Sequence, residues 1–206
     1  MQAAARTRLA GTVSDDFDNQ VRRLSLALKE VEPAPRAALA NNRNAAAVLV
    51  PLFERAGEMH VVYIRRSDHV ESHRGQVAFP GGRVDPKDRT LLDAALREAH
   101  EEVGIPPREV QVLGGFSAAQ TTTTGIIVAP FVGVIPSTLP LTPDPHEVAE
   151  IFDVPLSALR DPACRGDYQW NQNGTVRRFP AILYGGQTIW GLTLRITERL
   201  LKVLKG

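Results

Sequence analysis

The strongest constraint on the fold lies between Pro80 and Ile105, where a Pro-Gly-Gly loop leads into a helix with two dissimilar faces. At about 100° per residue, Leu92, Leu96, Ala99 and Val103 line one side, the stripe of a helix that packs on a core. Glu98, Glu101 and Glu102 gather on another side, with Glu98 and Glu102 one turn apart. Gly104 and then Pro106 close the segment, so the pattern predicts a helix over 90–103 with its three acids facing one cleft.

Acids spaced this way repel one another, by roughly 0.2–0.5 kcal/mol for each i,i+4 pair. They also lie toward the helix C-terminus, where the dipole disfavours negative charge. Such a face can be a solvated surface and nothing more. It can equally hold a divalent cation, and carboxylate oxygens with few protein ligands suit Mg²⁺ or Mn²⁺. Gly81 and Gly82 favour the second reading, because bare backbone can approach a phosphate or offer a carbonyl to a metal.

Around this segment the chain reads as a mixed α/β domain. Phe17, Val21, Leu24, Leu28 and Val31 form the stripe of an N-terminal helix, ended by Pro33 and Pro35 before Asn41-Asn42. Strands are expected at 45–53, 59–65, 76–79, 110–116, 126–135 and 148–154, with a helical turn at 155–159. Asn173-Gly174 is a hairpin signal between 168–170 and 175–179. Further short strands at 181–184 and 188–190 precede a closing helix marked by Leu192, Ile196, Leu200, Val203 and Leu204. The expected architecture is an α/β/α sandwich with a mixed β-sheet. Residues 1–40 form a helical extension packed on it and residues 41–206 the main domain.

Charge narrows the partners. Twenty-four basic and 23 acidic side chains leave a net charge of +1, and the basic residues cluster only in short pairs such as Arg22-Arg23, Arg65-Arg66 and Arg177-Arg178, which argues against binding long nucleic acid. A small phosphorylated ligand needs only a few local cations. Cys164 is the only cysteine, so no intrachain disulfide forms and a reducing compartment is expected. No stretch approaches the ~20 apolar residues of a membrane span. Met1 to Gly11 lacks the apolar run of a secretory signal, and the cytoplasm is the expected location.

Arg97-Glu98-Ala99-His100-Glu101-Glu102-Val103-Gly104 resembles the closing half of the Nudix box, a glycine, five residues, a glutamate, seven residues and then Arg-Glu-x-x-Glu-Glu-x-Gly. Here Asp88 stands at the glutamate, and eight residues separate it from Arg97. The longer spacing is similar to the coenzyme A pyrophosphatase branch of Nudix hydrolases. Upstream, Arg66-Ser67 and Gly75 to Gly82 are similar to that branch's signature, which has arginine four residues before Gly75 where this chain has Glu71. The resemblance extends over roughly 43–203.

It implies an enzyme that hydrolyses a diphosphate bond, with Glu98 and Glu102 as metal ligands and Glu101 as a further ligand or base. It also implies the Gly82 carbonyl as a backbone ligand and Arg97 as a positioning residue able to pair with Glu101. Glu101, Glu102, Glu147 and Glu150 are candidate proton acceptors, the last two if their loop folds over the site. Gly81, Arg66, His73 and Arg74 are candidate substrate contacts. Tyr168, Trp170 and Trp190 can stack on a base or pack as core. The implied substrate is coenzyme A, cut to 3′,5′-ADP and 4′-phosphopantetheine. ADP-ribose, dinucleotides and nucleotide sugars are the same-class alternatives, and a non-catalytic nucleotide sensor is the alternative of another class.

Overall fold

The computed structural model describes residues 14–28, 45–69, 73–120, 125–172 and 175–205. The expected extension of the first helix to Val31, its Pro33-Pro35 stop, the Asn41-Asn42 loop and the Asn173-Gly174 turn lie outside the described residues.

Helix α1 (Asp15–Ala27) starts where the Ser14 hydroxyl accepts a hydrogen bond from the Phe17 N–H. The hairpin β1 (Ala45–Arg55) and β2 (Glu58–Arg66) follows, then the short β3 (Val77–Ala78) and β4 (Gly81–Arg83). Helix α2 (Leu91–Val103) is closed at both ends by its own sequence. Thr90 and Asp93 exchange side-chain-to-backbone hydrogen bonds in a capping box, and Gly104, at φ 73°, takes the left-handed conformation that ends it. Strands β5 (Gln111–Gly115), β6 (Ala119–Gln120), β7 (Ile127–Val134) and β8 (Val148–Pro155) lead to the short α3 (Leu156–Arg160). Strands β9 (Arg165–Gln172), β10 (Thr175–Tyr184) and β11 (Gln187–Trp190) then precede α4 (Gly191–Lys205).

The main sheet runs β3-β2-β1-β7-β5, with β4 paired to β1, β6 to β7 and β8 to β2. It is mixed, because β1 and β7 are parallel while β1–β2 and β2–β8 are antiparallel. Both faces of β1 and β2 are buried, so their sequences read as near-continuous apolar runs with little alternation. On one face Leu49, Phe53, Val62 and Ile64 pack with Ala99 and Val103 of α2. On the other, Val50, Leu52, Val61 and Tyr63 pack with Leu24 of α1 and Leu194, Leu200 and Leu204 of α4. The result is the α/β/α sandwich that the sequence pattern predicts. Strands β9 to β11 form a separate three-stranded antiparallel sheet, with Ile182 and Ile189 in the α1–α4 core.

One local expectation changes. Gly81 and Gly82 form strand, not loop, and pair with Val48 and Ala47 at the start of β1. A Cβ on Gly81 would collide with the Ala47 carbonyl and Val48, so the strand closes onto β1 only because that residue is glycine.

The packing of α1 is testable. Leu24 is fully buried in the α1–α4 core, whereas Leu26, two residues on, is 81% exposed. Leu24→Ala is expected to destabilise the protein by about 2–5 kcal/mol, read as a lower urea midpoint, and Leu26→Ala by less than ~0.5 kcal/mol. Equal effects would show that α1 does not dock on this face.

Candidate metal-binding active site

The site forms where α2, β4, the end of β2 and the turn before β8 meet. Glu98 and Glu102, one helical turn apart, share a side of α2 that faces the Gly81-Gly82 strand. Carboxylate oxygens of Glu98, Glu102 and Glu147 lie within 4.8 Å of one another. Bare backbone is again the condition: a Cβ on Gly82 would sit 2.5–2.7 Å from the Glu98 carboxylate.

Glu102 is the innermost of the three, with its side chain only 1% exposed. One oxygen accepts the Gly81 N–H at 2.8 Å, and the other is 3.4 Å from the Arg66 guanidinium. Burial pushes this carboxyl up to about 8; the Gly81 N–H and Arg66 pull it down, and the charges of Glu98 and Glu147 raise it again. Glu98, partly buried, is raised for the same first reason, against the opposing hydrogen bond and charge of Arg97.

Glu147 comes from a turn 45 residues beyond Glu102, held there by the end of α2 itself. The Glu102 carbonyl accepts the Asp144 N–H at 2.9 Å, and the Val103 carbonyl accepts the Thr142 N–H at 3.1 Å. These are helix-terminal carbonyls with no partner inside the helix, and they pin the 142–147 loop in place. The Glu147 carbonyl in turn accepts the Ser67 N–H at the end of β2. Glu150 lies three residues on and is engaged elsewhere, with Arg65 at 3.3 Å and Gln187 at 2.8 Å.

Glu101 stands apart from the cluster. One residue before Glu102, it is turned about 100° round the helix and its side chain is 52% exposed. Its partner is Arg97, whose Nη1 donates at 2.7 Å to Glu101 and at 2.9 Å to Glu98. The same guanidinium reaches Asp88 through Nε and Nη2, both at 2.9 Å, and the Arg83 carbonyl at 3.2 Å. Burial alone would raise the Asp88 carboxyl; the Arg97 hydrogen bonds, the Asp85 N–H and the charges of Arg97 and Lys87 outweigh it and hold it below the ordinary range. A shorter acid and one more intervening residue therefore still end in a two-pronged ion pair.

Of the other sequence candidates, Arg66 reaches the cluster through Glu102. His73 and Arg74 lie on an exposed turn leading into β3, with the His73 ring 3.0 Å from the Gln76 side chain. Glu71 lies outside the described residues. A cavity of about 270 Å³, lined by Phe53, Arg55, Leu139 and Asp153 among others, opens toward the far end of β1 from Gly82 and takes no part in the carboxylate site.

Three clustered carboxylates, one of them buried, fit a hard divalent cation held by oxygen ligands. A cation held by these carboxylates would offset their mutual repulsion and present positive charge to a phosphate oxygen. Comparison with known proteins places this arrangement. The NUDIX domain family matches residues 43–173, and the chain belongs to it. An uncharacterized Nudix hydrolase, NudL, of Yersinia enterocolitica is 42% identical over 173 residues, covering 82% of this chain and 85% of that one. Its counterpart in Photorhabdus laumondii is 42% identical over 168 residues, covering 82% and 89%. Among solved structures, the Nudix hydrolase RenU of M. smegmatis shares the fold, with a TM-score of 0.51 and 21% identity over 79% of this chain and 86% of that one. The chain is a Nudix hydrolase by family and fold. No helix among the described residues is long and apolar enough to cross a membrane.

The buried carboxyl makes a prediction about the metal-free protein. Between the ordinary glutamate value of 4.5 and about 8, the folded state keeps the Glu102 proton that the unfolded chain has released. Its contribution to stability is therefore full below the lower value and lost as pH rises through the upper one. Glu102→Gln is expected to remove a few kcal/mol of this pH dependence, making the metal-free variant steadier than wild type at pH 8.5 but not at pH 4. Parallel urea midpoints for the two proteins across that range would contradict the burial argument.

Proposed function

We propose that the protein hydrolyses the diphosphate bond of coenzyme A to 3′,5′-ADP and 4′-phosphopantetheine, using Mg²⁺ or Mn²⁺ in the cytoplasm. The observation that carries the chemistry is the convergence of Glu98, Glu102 and Glu147 within 4.8 Å beside the Gly81-Gly82 strand. The substrate rests on the segment from Gly75 to Gly82, whose resemblance to the coenzyme A signature leads directly into that strand.

The residues divide the work by their surroundings. Glu98 and Glu102 would hold the cation, and the Gly82 carbonyl would be a backbone ligand. A bound cation lowers the pKa of a coordinated water and neutralises charge growing on the phosphoryl oxygens. Glu102 already accepts from Gly81 and Arg66, so its oxygens are fixed and suited to ligation rather than proton transfer. Glu147 is solvent-exposed at the edge of the cluster and takes the proton of the attacking water. Arg97 acts through others: it fixes the Glu98 rotamer from one side while Asp88 anchors it from the other. Glu101, bound to the same guanidinium, supports this network from solvent. The same reading assigns Arg66, Gly81, His73 and Arg74 to contacts with the phosphorylated substrate.

Glu98→Gln and Glu147→Gln are expected to lower kcat/KM by ~10²–10³-fold, or about 3–4 kcal/mol, and Glu101→Gln by less than tenfold. Wild-type turnover from Glu98→Gln, or a larger loss from Glu101→Gln than from Glu147→Gln, would overturn these roles. For the substrate, kcat/KM for coenzyme A is expected to exceed that for ADP-ribose and for 3′-dephospho-coenzyme A. A tenfold preference for ADP-ribose would remove coenzyme A and leave the diphosphate chemistry standing.

A further inference from the structure

The outer face of the three-stranded sheet carries four aromatic rings that the core does not use. Strand register puts Trp170 and Tyr168 of β9, Arg177 and Phe179 of β10, and Trp190 of β11 on one side, opposite Ile182 and Ile189. Tyr168 and Trp190 stack at 4.1 Å with 20° between their planes. Phe179 lies 5.6 Å from Trp190, and Trp170 continues the row 6.2 Å from Phe179. Each of the four keeps part of its surface in solvent, and the exposed Arg177 is the cross-strand partner of Trp170.

This row is tied to the carboxylate site from both sides of Trp190. Three residues before it, the Gln187 side chain donates to Glu150, which lies three residues from Glu147. Three residues after it, the Thr193 hydroxyl donates to the Val77 carbonyl, four residues before Gly81. Neither chain path from pin to site exceeds about 14 Å even fully extended. A half-exposed aromatic row with a cation beside it has the chemistry of a base-stacking surface, and β11, which carries Trp190, lies against β3, the strand that leads into the Gly81-Gly82 strand.

We propose that the row formed by Trp170, Phe179, Tyr168 and Trp190 receives the purine base of the diphosphate substrate, with Arg177 beside it. The proposal rests on the diphosphate reading of the carboxylate cluster and adds the part of the substrate that the cluster does not touch.

Both tryptophans of the chain lie in the row, so intrinsic tryptophan fluorescence reports on it alone. Full-length protein without metal is titrated with AMP and, separately, with ribose 5-phosphate. AMP is expected to quench the emission saturably and ribose 5-phosphate to leave it unchanged. Phe179→Leu, which removes a ring and keeps an apolar residue, is expected to weaken AMP about tenfold. It should also lower the preference for a base-bearing over a base-free diphosphate by a similar factor. Equal response to the two titrants, or none at millimolar AMP, overturns the proposal. So does a wild-type dimer in sedimentation that Phe179→Leu dissociates, since the row then faces a second copy. AMP quenching in a protein that turns over no diphosphate supports the base site and overturns the catalytic reading instead.

Discussion

The site depends on one buried carboxylate. Glu102 is almost wholly out of water, yet it faces Glu98 and Glu147 at a distance where like charges repel. Two donors hold it there. The Gly81 N–H fastens α2 to the edge of β1 through β4, and Arg66 fastens it to the end of β2. Its main-chain carbonyl anchors the loop that delivers Glu147. One residue thus joins the helix, the glycine strand and the distant turn. A buried acid among acids is an unfavourable arrangement for a protein alone and a favourable one for a protein that binds a divalent cation.

Arg97 complements this from the helix's other flank. Asp88 takes two of its N–H groups, and the remaining reach goes to Glu98, Glu101 and the Arg83 carbonyl. The guanidinium is held charged chiefly by the Asp88 hydrogen bonds, while burial opposes it. Glu98 is therefore set between a cationic strut and a glycine that leaves room for its oxygens. The departures from the usual box at Asp88 preserve this strut, so they bear on turn geometry more than on chemistry.

Much of this was legible in the sequence because it is local. The Gly104 stop, the helical phase of Glu98 and Glu102, and the apolar strands follow from spacing and propensity. Three features escaped a local reading. The three acids read as one cleft, but the 100° between neighbouring residues puts Glu101 in solvent. Gly81 and Gly82 read as loop, because a glycine pair signals a turn unless a partner strand is known to lie against it. Glu147 and Glu150 were equal candidates until long-range pairing was fixed: β8 against β2 and the loop against α2 send Glu147 to the cluster and Glu150 to Arg65 and Gln187. Tertiary contacts, which spacing does not encode, made each of these choices.

The central claim is that Glu98, Glu102 and Glu147 form one cation site. Anomalous scattering from crystals soaked in Mn²⁺ tests it directly. The account predicts an Mn²⁺ peak within coordination distance of oxygens from Glu98 and Glu102, with Glu147 at its edge and the Gly82 carbonyl in reach. A peak held by Glu101 and not by Glu102, or no peak among these carboxylates at saturating Mn²⁺, would contradict it.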